Sequence, residues 1–395
     1  MKLLYVLIAA CILVLTATAY TFPAAAGSDE LKLVSSFEGG ERCSAGPYDV
    51  LVLSGSYREM GRQYGSLMKD ELLAVYDVVT ENAIKNGYAV EELHNEVAVS
   101  CEFQPKRMKE IYAGMAETSG LTEEDIRVIY YGPVIYLCGG VSCSFLAAWG
   151  DYTPDGMVVL SRNWDLSDSA SVFDPYYVLV VYNPSDGSNG VATFGPAGTR
   201  PETLMNSEGL FIANDNDGGS GGYLTMNDRP DLISEFFRFM LDYSTLKQLD
   251  AGIMATRTDT GWIVNAAGPE EAYSYEETVW EIKRRDGNGI IAATNHFADP
   301  AWNFAGMPAE NSLVRYNNLF SLADKSKGSI DASEMMNIRD ILIDDGGARF
   351  LHYNLGGYGY STDHQVVFVP ETRELRIRVL DSDWQKVELA TLFKS

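Results

Sequence analysis

Residues 141–167 have the sequence VSCSFLAAWGDYTPDGMVVLSRNWDLS, and this segment predicts the centre of the fold. Residues 144–149 are small or apolar, as is typical of a strand that is buried on both faces. Residues 157–160 form a second apolar run that contains β-branched side chains. Between them, Pro154-Asp155-Gly156 predicts a turn, because proline presets φ and glycine tolerates positive φ. The segment therefore predicts a β-hairpin.

The two ends of this hairpin bring Cys143, which opens the first strand, close to Arg162 and Asp165, which close the second. A cation beside a cysteine favours the thiolate, which is the nucleophilic form. A thiol beside a fixed cation and a carboxylate therefore indicates covalent chemistry. The alternatives are a structural cysteine, either buried or in a disulfide, and an ordinary ion pair at the strand end, which contributes little if it is exposed.

The chain has 395 residues and a net charge of −25, from 55 acidic and 30 basic residues. This charge argues against nucleic acid or an anionic membrane surface as a partner, since both would be repelled. Residues 1–26 predict a secretory signal peptide, because Lys2 precedes an apolar run over residues 3–15 and small-residue cleavage sites follow. An uncleaved anchor is the alternative, and no later segment is apolar enough to span a bilayer. We therefore expect a secreted, extracytoplasmic protein.

Four cysteines follow the predicted signal peptide, namely Cys43, Cys101, Cys138 and Cys143. An even count in an oxidising compartment suggests disulfides, and a Cys43–Cys101 bridge is one expectation. A His/Cys metal site is not expected, because the chain has 4 histidines and none of them forms a ligand pair. The loop over residues 214–219 departs from the EF-hand pattern for calcium and instead predicts a turn or the rim of a site.

Residues 27–142 are predicted to form a mostly helical N-terminal segment. Residues 27–47 are expected to be an irregular leader, and residues 48–54 a short strand. Ser56 followed by Glu59 predicts a capping box at the start of the next helix. Further helices are predicted over residues 89–99, 105–119 and 122–137.

From residue 143 to residue 395 the pattern changes to strands and turns that are interrupted by helices. Strands are predicted over residues 176–182, 209–214, 260–267, 271–284, 289–294, 365–369 and 374–379. Helices are predicted over residues 231–243, 245–255, 311–323 and 331–343. This order of elements fits a layered α/β or α+β domain with antiparallel sheet.

Several motifs in order along the chain resemble the N-terminal nucleophile (Ntn) hydrolases of linear amides. Cys143-Ser144 followed by Arg162-Asn163-Trp164-Asp165 is similar to their opening hairpin. The choloylglycine hydrolase and penicillin V acylase family is one branch, and the acyl-coenzyme A:isopenicillin N (6-aminopenicillanic acid) acyltransferase family is the closer match. Three further segments resemble the second branch: residues 55–65, residues 205–210 leading to Asn214, and Thr294-Asn295-His296-Phe297 followed by Ser312-Leu313-Val314-Arg315.

The resemblance implies an α+β fold, a four-layer αββα sandwich with antiparallel sheets. It also implies self-cleavage between Ser142 and Cys143, which would leave residues 27–142 and the catalytic residues 143–395 as two associated chains. The family usually has glycine before the cysteine, so Ser142 is a departure. Cys143 would be the nucleophile, and its new α-amine, with a reference pKa of about 7.7–8.0, would serve as the base without a histidine.

The resemblance implies supporting roles for five further residues: Arg162 beside the thiol, Asp165 holding the α-amine, Asn295 donating to the oxyanion, Asn214 as a second polar contact, and Arg315 supporting the site from a helix. For the asparagines the alternative is the closing of a turn, a common role of this residue. For Arg315 the alternative is a contact that serves only its own helix.

The expected protein is a secreted, autoprocessing cysteine amidohydrolase or acyltransferase that acts on a small-molecule acylated amine without a cofactor. Hydrolysis is favoured over acyl transfer, because coenzyme A is not expected to serve as an acyl donor outside the cell. The acyl group, the amine and the oligomeric state are left open. One alternative is a lipid amidase or esterase that resembles the phospholipase B-like proteins. Another is a non-catalytic exported binding domain in which Cys143 forms a disulfide.

Overall fold

The computed structural model describes most of the chain. The described residues are 31–132, 142–222, 224–226, 228–302 and 307–394. The predicted signal peptide, Cys138 and the last residues of the helix predicted over 122–137 lie outside them. Among the described residues, no helix combines the length and the apolar character needed to cross a bilayer.

Among the described residues, ten strands form the larger sheet, called sheet A. They are β1 (Lys32–Phe37), β2 (Gly40–Ala45), β3 (Tyr48–Gly55), β6 (Tyr177–Pro184), β7 (Val191–Pro196), β8 (Thr203–Asn206), β9 (Phe211–Asp215), β10 (Trp262–Ala267), β11 (Ala272–Glu277) and β12 (Ile282–Asp286). Neighbouring strands in the sheet follow this same order. The pairs are antiparallel except for β3 and β6, which run parallel.

The smaller sheet, called sheet B, has seven strands in the described part of the chain. They are β4 (Ser142–Ala148), β5 (Val159–Ser167), β13 (Ile290–Ala293), β14 (Tyr353–Leu355), β15 (Tyr358–Val369), β16 (Glu374–Val379) and β17 (Gln385–Glu388). Their spatial order is β13-β4-β5-β15-β16-β17, and β14 pairs with β15. The hairpin predicted from residues 141–167 is therefore present, as the antiparallel pair β4–β5 at the centre of this sheet.

Helices precede, interrupt and follow the strands. They are α1 (Tyr57–Leu67), α2 (Lys69–Lys85), α3 (Val90–Ser100), α4 (Lys106–Ser119), α5 (Glu123–Tyr130), α6 (Leu232–Asp242), α7 (Leu246–Ala255), α8 (Glu310–Lys325) and α9 (Ala332–Asp340). Short 3-10 segments lie at Gly150–Tyr152, Asp168–Tyr176, Ile343–Asp345 and Leu389–Thr391. The predicted capping box is present at α1, where Ser56 and Glu59 hydrogen-bond to each other's backbone amides.

The two sheets pack face to face through aromatic side chains. Phe145 of β4 stacks on Phe211 of β9 with ring centroids 6.0 Å apart, and Phe211 also faces Phe368 of β15 at 6.3 Å. Tyr177 of β6 contacts His364 of β15 at 5.4 Å. Burial of such large apolar rings is the main stabilising term at a sheet-to-sheet interface.

The outer faces of both sheets are covered by helices. On sheet B, Leu146 of β4 packs with Leu319 of α8 and Met335 of α9. On sheet A, Tyr182 of β6 packs against Phe237 of α6 with ring centroids 5.3 Å apart. The fold is thus a four-layer αββα sandwich, as the resemblance implied.

Three sequence predictions need correction. The leader expected over residues 27–47 contains β1 and β2, which sequence patterns missed because the side chains of β1 are mostly exposed and show no buried alternation. The strand predicted over residues 271–284 is two strands, β11 and β12, and Thr278 caps the turn between them by accepting the amides of Trp280 and Glu281. The bridge expected between Cys43 and Cys101 is absent, since both cysteines are buried and free.

A β-bulge in β15 places a buried carboxyl group in a cavity beside β5. Thr362 pairs with Asp165 and His364 with Trp164, so Asp363 is an extra residue on its strand. It is 3 % exposed, its Oδ2 atom has no hydrogen-bond partner among the described residues, and it lines a cavity of about 190 Å³. Burial, together with the nearby Asp174, raises the pKa of Asp363 well above its usual value.

Asp363→Asn is therefore expected to stabilise the protein at neutral and alkaline pH. When folding raises the pKa of a carboxyl group, the group stabilises the folded protein most at a pH below its unfolded pKa. This stabilisation is lost as the pH rises through the folded pKa, and the free energy of unfolding falls by about 1.4 kcal/mol per pH unit. Thermal unfolding from pH 4 to pH 8 should show a gain in Tm for the variant that grows with pH. Asp344→Asn, at an exposed position, serves as the control. An equal gain at every pH would contradict the titration argument.

Candidate active site

The candidate site lies at the end of sheet B where β4 begins. Ser142 and Cys143 pair with Asp165 and Trp164 of β5. On the other side, the pairing of β13 with β4 reaches no further than Phe145. The backbone of Ser142 and Cys143 therefore extends beyond the end of β13, so its polar groups on that side must find other partners.

Strand alternation decides which side chains lie beside the thiol. Paired residues of β4 and β5 point to the same face, and successive residues point to opposite faces. Cys143 and Arg162 point toward sheet A, and the Arg162 Nη2 atom lies 3.3 Å from the Cys143 Sγ atom. Ser142 and Asp165 point toward α8, where both contact Arg315. The thiol thus has Arg162 beside it, whereas Asp165 lies behind the strand.

The thiol of Cys143 lies in a fully buried, charged environment. Arg162 Nη2 also donates to the backbone oxygen of Asn214 at 2.6 Å and to Glu202 Oε2 at 3.3 Å. Burial raises the pKa of the Cys143 thiol well above its usual value. Arg162 acts in the opposite direction, while Asp215 and Glu202 raise the pKa further. The intact chain therefore holds Cys143 as a neutral thiol.

Two more side chains fix the guanidinium group of Arg162. Its Nη1 atom donates to the Thr203 hydroxyl at 2.8 Å, and its Nε atom lies 3.5 Å from Asp215 Oδ1. Trp164 Nε1 donates to the same Glu202 oxygen at 2.8 Å. A buried cation held at this many points has one orientation available to it, and that orientation points Nη2 at the thiol.

Glu202→Gln is expected to lower the pKa of the Cys143 thiol. The substitution removes a negative charge that shares Arg162 Nη2 with the thiol, and it keeps an acceptor for Trp164. Thiolate absorbance followed against pH on the folded protein measures the shift. Glu208→Gln, at an exposed position of the same sheet region, should leave the titration unchanged. A pKa that rises or stays fixed in Glu202→Gln would show that Glu202 does not act on the thiol.

Arg315 of α8 holds the other face of β4. Its Nη1 atom donates to the backbone oxygen of Cys143 at 2.7 Å and pairs with Asp165 Oδ2 at 3.2 Å. Its Nη2 atom donates to the Ser142 hydroxyl at 2.7 Å. Arg315 therefore contacts the backbone of Cys143 itself, which a residue that served only its own helix would not do. Burial raises the pKa of Asp165 to about 6, although Arg315 and the Thr362 hydroxyl both favour the ionised form.

Asn295 contacts both residues of the predicted scissile bond. Its Oδ1 atom accepts the Cys143 amide at 3.1 Å, the Ser142 hydroxyl at 2.9 Å and Arg315 Nη2 at 2.7 Å. Its Nδ2 atom donates to the backbone oxygen of Asn216 at 2.7 Å. In this structure the Cys143 amide thus faces Asn295 rather than Asp165, and the Asn295 Nδ2 atom is bonded to Asn216.

The loop after β9 forms the rim of the site. Asn214 reaches Arg162 through its backbone oxygen, and its buried side-chain Oδ1 atom has no partner among the described residues. Gly218 has φ +60°, and a Cβ atom there would lie 2.4 Å from the backbone oxygen of Asn295. Asp217 accepts the amides of Gly219 and Gly221, which closes the loop as a turn. The described residues contain no group of three or more His, Cys, Asp or Glu side chains that could hold a metal ion.

The structure brings all six predicted residues together, and it adds residues that sequence reasoning missed. Arg339 of α9 donates to the backbone oxygen and hydroxyl of Ser144 and to Asn163 Oδ1, so it holds β4 one residue beyond the thiol. Glu202 follows a loop, and Arg339 lies far along the chain. The sequence around each of them has no pattern that would distinguish it from a charged residue on the surface. Asp215 could have been found, because it directly follows Asn214 at the end of a buried strand.

Comparison with known sequences gives a distant relative. No protein-family model matches the sequence. A similar sequence is an uncharacterized protein of Archaeoglobus fulgidus, which is 23% identical over 379 residues. The alignment covers 82% of this chain and 61% of that protein, so this chain spans less than two thirds of the length of the curated relative that it matches.

Two similar solved structures are enzymes of known type. A mutant of the conjugated bile acid hydrolase from Clostridium perfringens has a TM-score of 0.44 and 12% identity, with 63% of this chain and 93% of that chain covered. Penicillin V acylase from Agrobacterium tumefaciens has a TM-score of 0.45 and 11% identity, with 64% and 88% covered. The αββα layering of the present chain is established by its own sheets and helices.

Proposed function

We propose that this protein is a secreted cysteine amidohydrolase that cuts its own Ser142–Cys143 bond and then hydrolyses linear amides of small acylated amines. One observation carries the proposal. The nucleophile candidate has its thiol 3.3 Å from a buried arginine, and its own backbone nitrogen donates to a side chain, Asn295, rather than to a neighbouring strand. A backbone nitrogen held in this way is positioned to become a catalytic α-amine.

Maturation would begin with attack of the Cys143 sulfur on the carbonyl carbon of Ser142. The S–C bond forms, the C–N bond breaks, and the Cys143 nitrogen takes a proton to become an amine. Water then hydrolyses the thioester, which leaves a carboxylate on Ser142 and a free thiol and amine on Cys143. These steps need no cofactor, and every proton is supplied by the thiol or by water.

Substrate hydrolysis would repeat this chemistry on an external amide. The α-amine of Cys143 takes the thiol proton, the sulfur attacks the amide carbonyl carbon, and the proton passes to the leaving amine. Water then releases the acyl group from sulfur as a carboxylate. Arg162 would stabilise the thiolate, and Asp165, which pairs with Arg315, would balance the protonated amine once the new N-terminus turns toward it.

Asn295 and Asn214 are proposed as the polar groups that face the oxyanion, a role in which one donor contributes about 3 kcal/mol of barrier lowering. For Asn295 this requires a change after cleavage, because its amide now donates to Asn216. Its Oδ1 atom would keep the contact with Arg315, so that only the Nδ2 atom changes its partner.

The activity is tested by incubating the mature protein with a panel of N-acylated primary amines and measuring the released amine. We expect release with the wild-type protein and none with Cys143→Ala. Release of lipid amines or alcohols alone would favour the alternative that resembles phospholipase B-like proteins. A mature, correctly cut protein that releases no amine from any class of acyl donor would overturn the proposed activity.

A further inference from the structure

The Ser142 side chain fills a polar recess between β4 and α8. Its hydroxyl donates to Asn295 Oδ1 at 2.9 Å and accepts from Arg315 Nη2 at 2.7 Å. Ser142 is 5% exposed, and Arg315 is fully buried. The recess therefore holds one hydroxymethyl group whose oxygen is bonded on two sides. An apolar group of the same size would leave a buried guanidinium donor with one partner fewer, which is unfavourable.

In the proposed self-cleavage, Ser142 is the acyl group. Its carbonyl carbon forms the bond to the Cys143 sulfur, in the same way as the acyl carbon of an external substrate would later do. The same sulfur with the same neighbours handles both acyl groups. The Cβ atom of Ser142 lies two bonds from the carbonyl carbon. Its position therefore marks where the corresponding carbon of a substrate acyl group would lie.

We propose that the mature site prefers acyl groups that carry a hydroxyl on the second carbon beyond the carbonyl carbon, that is, 3-hydroxyacyl amides, of which a seryl amide is one. The inference rests on the proposed function. The oxygen of such a group would take the place of Ser142 Oγ, accept from Arg315 and donate to Asn295. A hydroxyl one carbon closer to the carbonyl would not reach the same two partners.

The first test compares matched substrates of the mature protein. The probes are the 3-hydroxypropionyl, butyryl and 2-hydroxybutyryl amides of one fluorogenic aromatic amine. Butyryl replaces the hydroxyl by a methyl group of similar size. Because a hydrogen bond to a charged group is involved, we expect kcat/KM to be about tenfold or more higher for the 3-hydroxy compound than for the other two. Equal or higher kcat/KM for butyryl would overturn the inference while leaving the proposed function intact.

If a correctly cut protein hydrolyses none of the three amides but releases amine from other acylated amines, the inference is overturned and the proposed function stands. Release from no acyl donor at all overturns both. A second test does not depend on an external substrate. Ser142→Ala removes the hydroxyl from the recess, and we expect it to slow self-cleavage by about tenfold. Self-cleavage of Ser142→Ala at the wild-type rate would show that the recess does not use the Ser142 hydroxyl to position the acyl group.

Ser144→Ala is the matched control for this second test. The Ser144 hydroxyl also accepts from a buried arginine at 2.7 Å, namely Arg339 Nη2, but it lies on the other side of Cys143. We expect Ser144→Ala to lose a similar contact with a smaller effect on the rate. Equal slowing in both variants would show a general effect of loosening β4 and would overturn the role of the recess.

Discussion

Replacement of Cys143 by alanine is expected to leave the protein as one chain, whereas we expect the wild-type protein to separate into two chains under denaturing, reducing conditions. The proposed cut would require the sulfur atom at this position, and this buried thiol beside Arg162 lies next to the Ser142–Cys143 bond. Intact-mass measurement of both proteins checks this, since the new chain should begin at Cys143. The expected effect is complete loss of cleavage.

Cys101→Ala is the matched control for this experiment. Cys101 is also buried and free, and burial raises the pKa of its thiol to about 12. It is the C-cap residue of α3, and the charges that act on its thiol, those of Arg127, Asp231 and Lys109, are not part of the candidate site, so its variant should be cut as the wild type is expected to be. A wild-type protein that stays intact would remove the support for self-processing, and a binding domain would become the better hypothesis.

Arg315→Met is expected to give the second large effect, with loss of cleavage and destabilisation by about 3–5 kcal/mol. The substitution removes the donors to Ser142, Cys143 and Asn295 and leaves the buried Asp165 carboxylate without its cation. Chemical denaturation measures the free energy of unfolding, and intact mass measures cleavage.

The double variant Arg315→Met with Asp165→Asn separates the two roles of Arg315. Removing the unpaired Asp165 charge should restore much of the lost stability, because an uncompensated buried carboxylate accounts for much of the destabilisation. Cleavage should stay absent, since the contacts to the scissile residues are still missing. Normal cleavage in the single variant would show that Arg315 is not part of the site.

The central hairpin could be predicted from the sequence because several local signals agree there. An apolar run, a Pro-Asp-Gly turn and a second apolar run specify two paired strands, and alternation then places Arg162 opposite Phe145 on the face of the thiol. The sequence analysis expected Cys143 to lie close to both Arg162 and Asp165, and it did not consider the strand face of each. Asp165 is three residues beyond Arg162, an odd spacing that puts it on the opposite face of a strand.

Long-range partners could not be predicted from local pattern. Asn295 and Arg315 were identified only through the resemblance of their motifs, and Glu202 and Arg339 were not identified at all. Each of them meets β4 or β5 through a contact that spans many residues of sequence, which no periodicity encodes. β1 was not predicted for a different reason. It is a strand because its backbone pairs with β2, and its side chains are not buried.

The parallel pairing of β3 with β6 would change the way the protein unfolds once the Ser142–Cys143 bond is cut. β3 would then belong to one chain and β6 to the other, although they remain neighbours inside the same sheet, in register from Asp49 and Val178 to Gly55 and Pro184. Unfolding would become a dissociation, so the melting temperature of the mature protein should fall on dilution. The uncut variant would keep a melting temperature that is independent of concentration. Before the cut, refolding would involve one chain. After the cut, refolding would require the two chains to associate and would depend on their concentration.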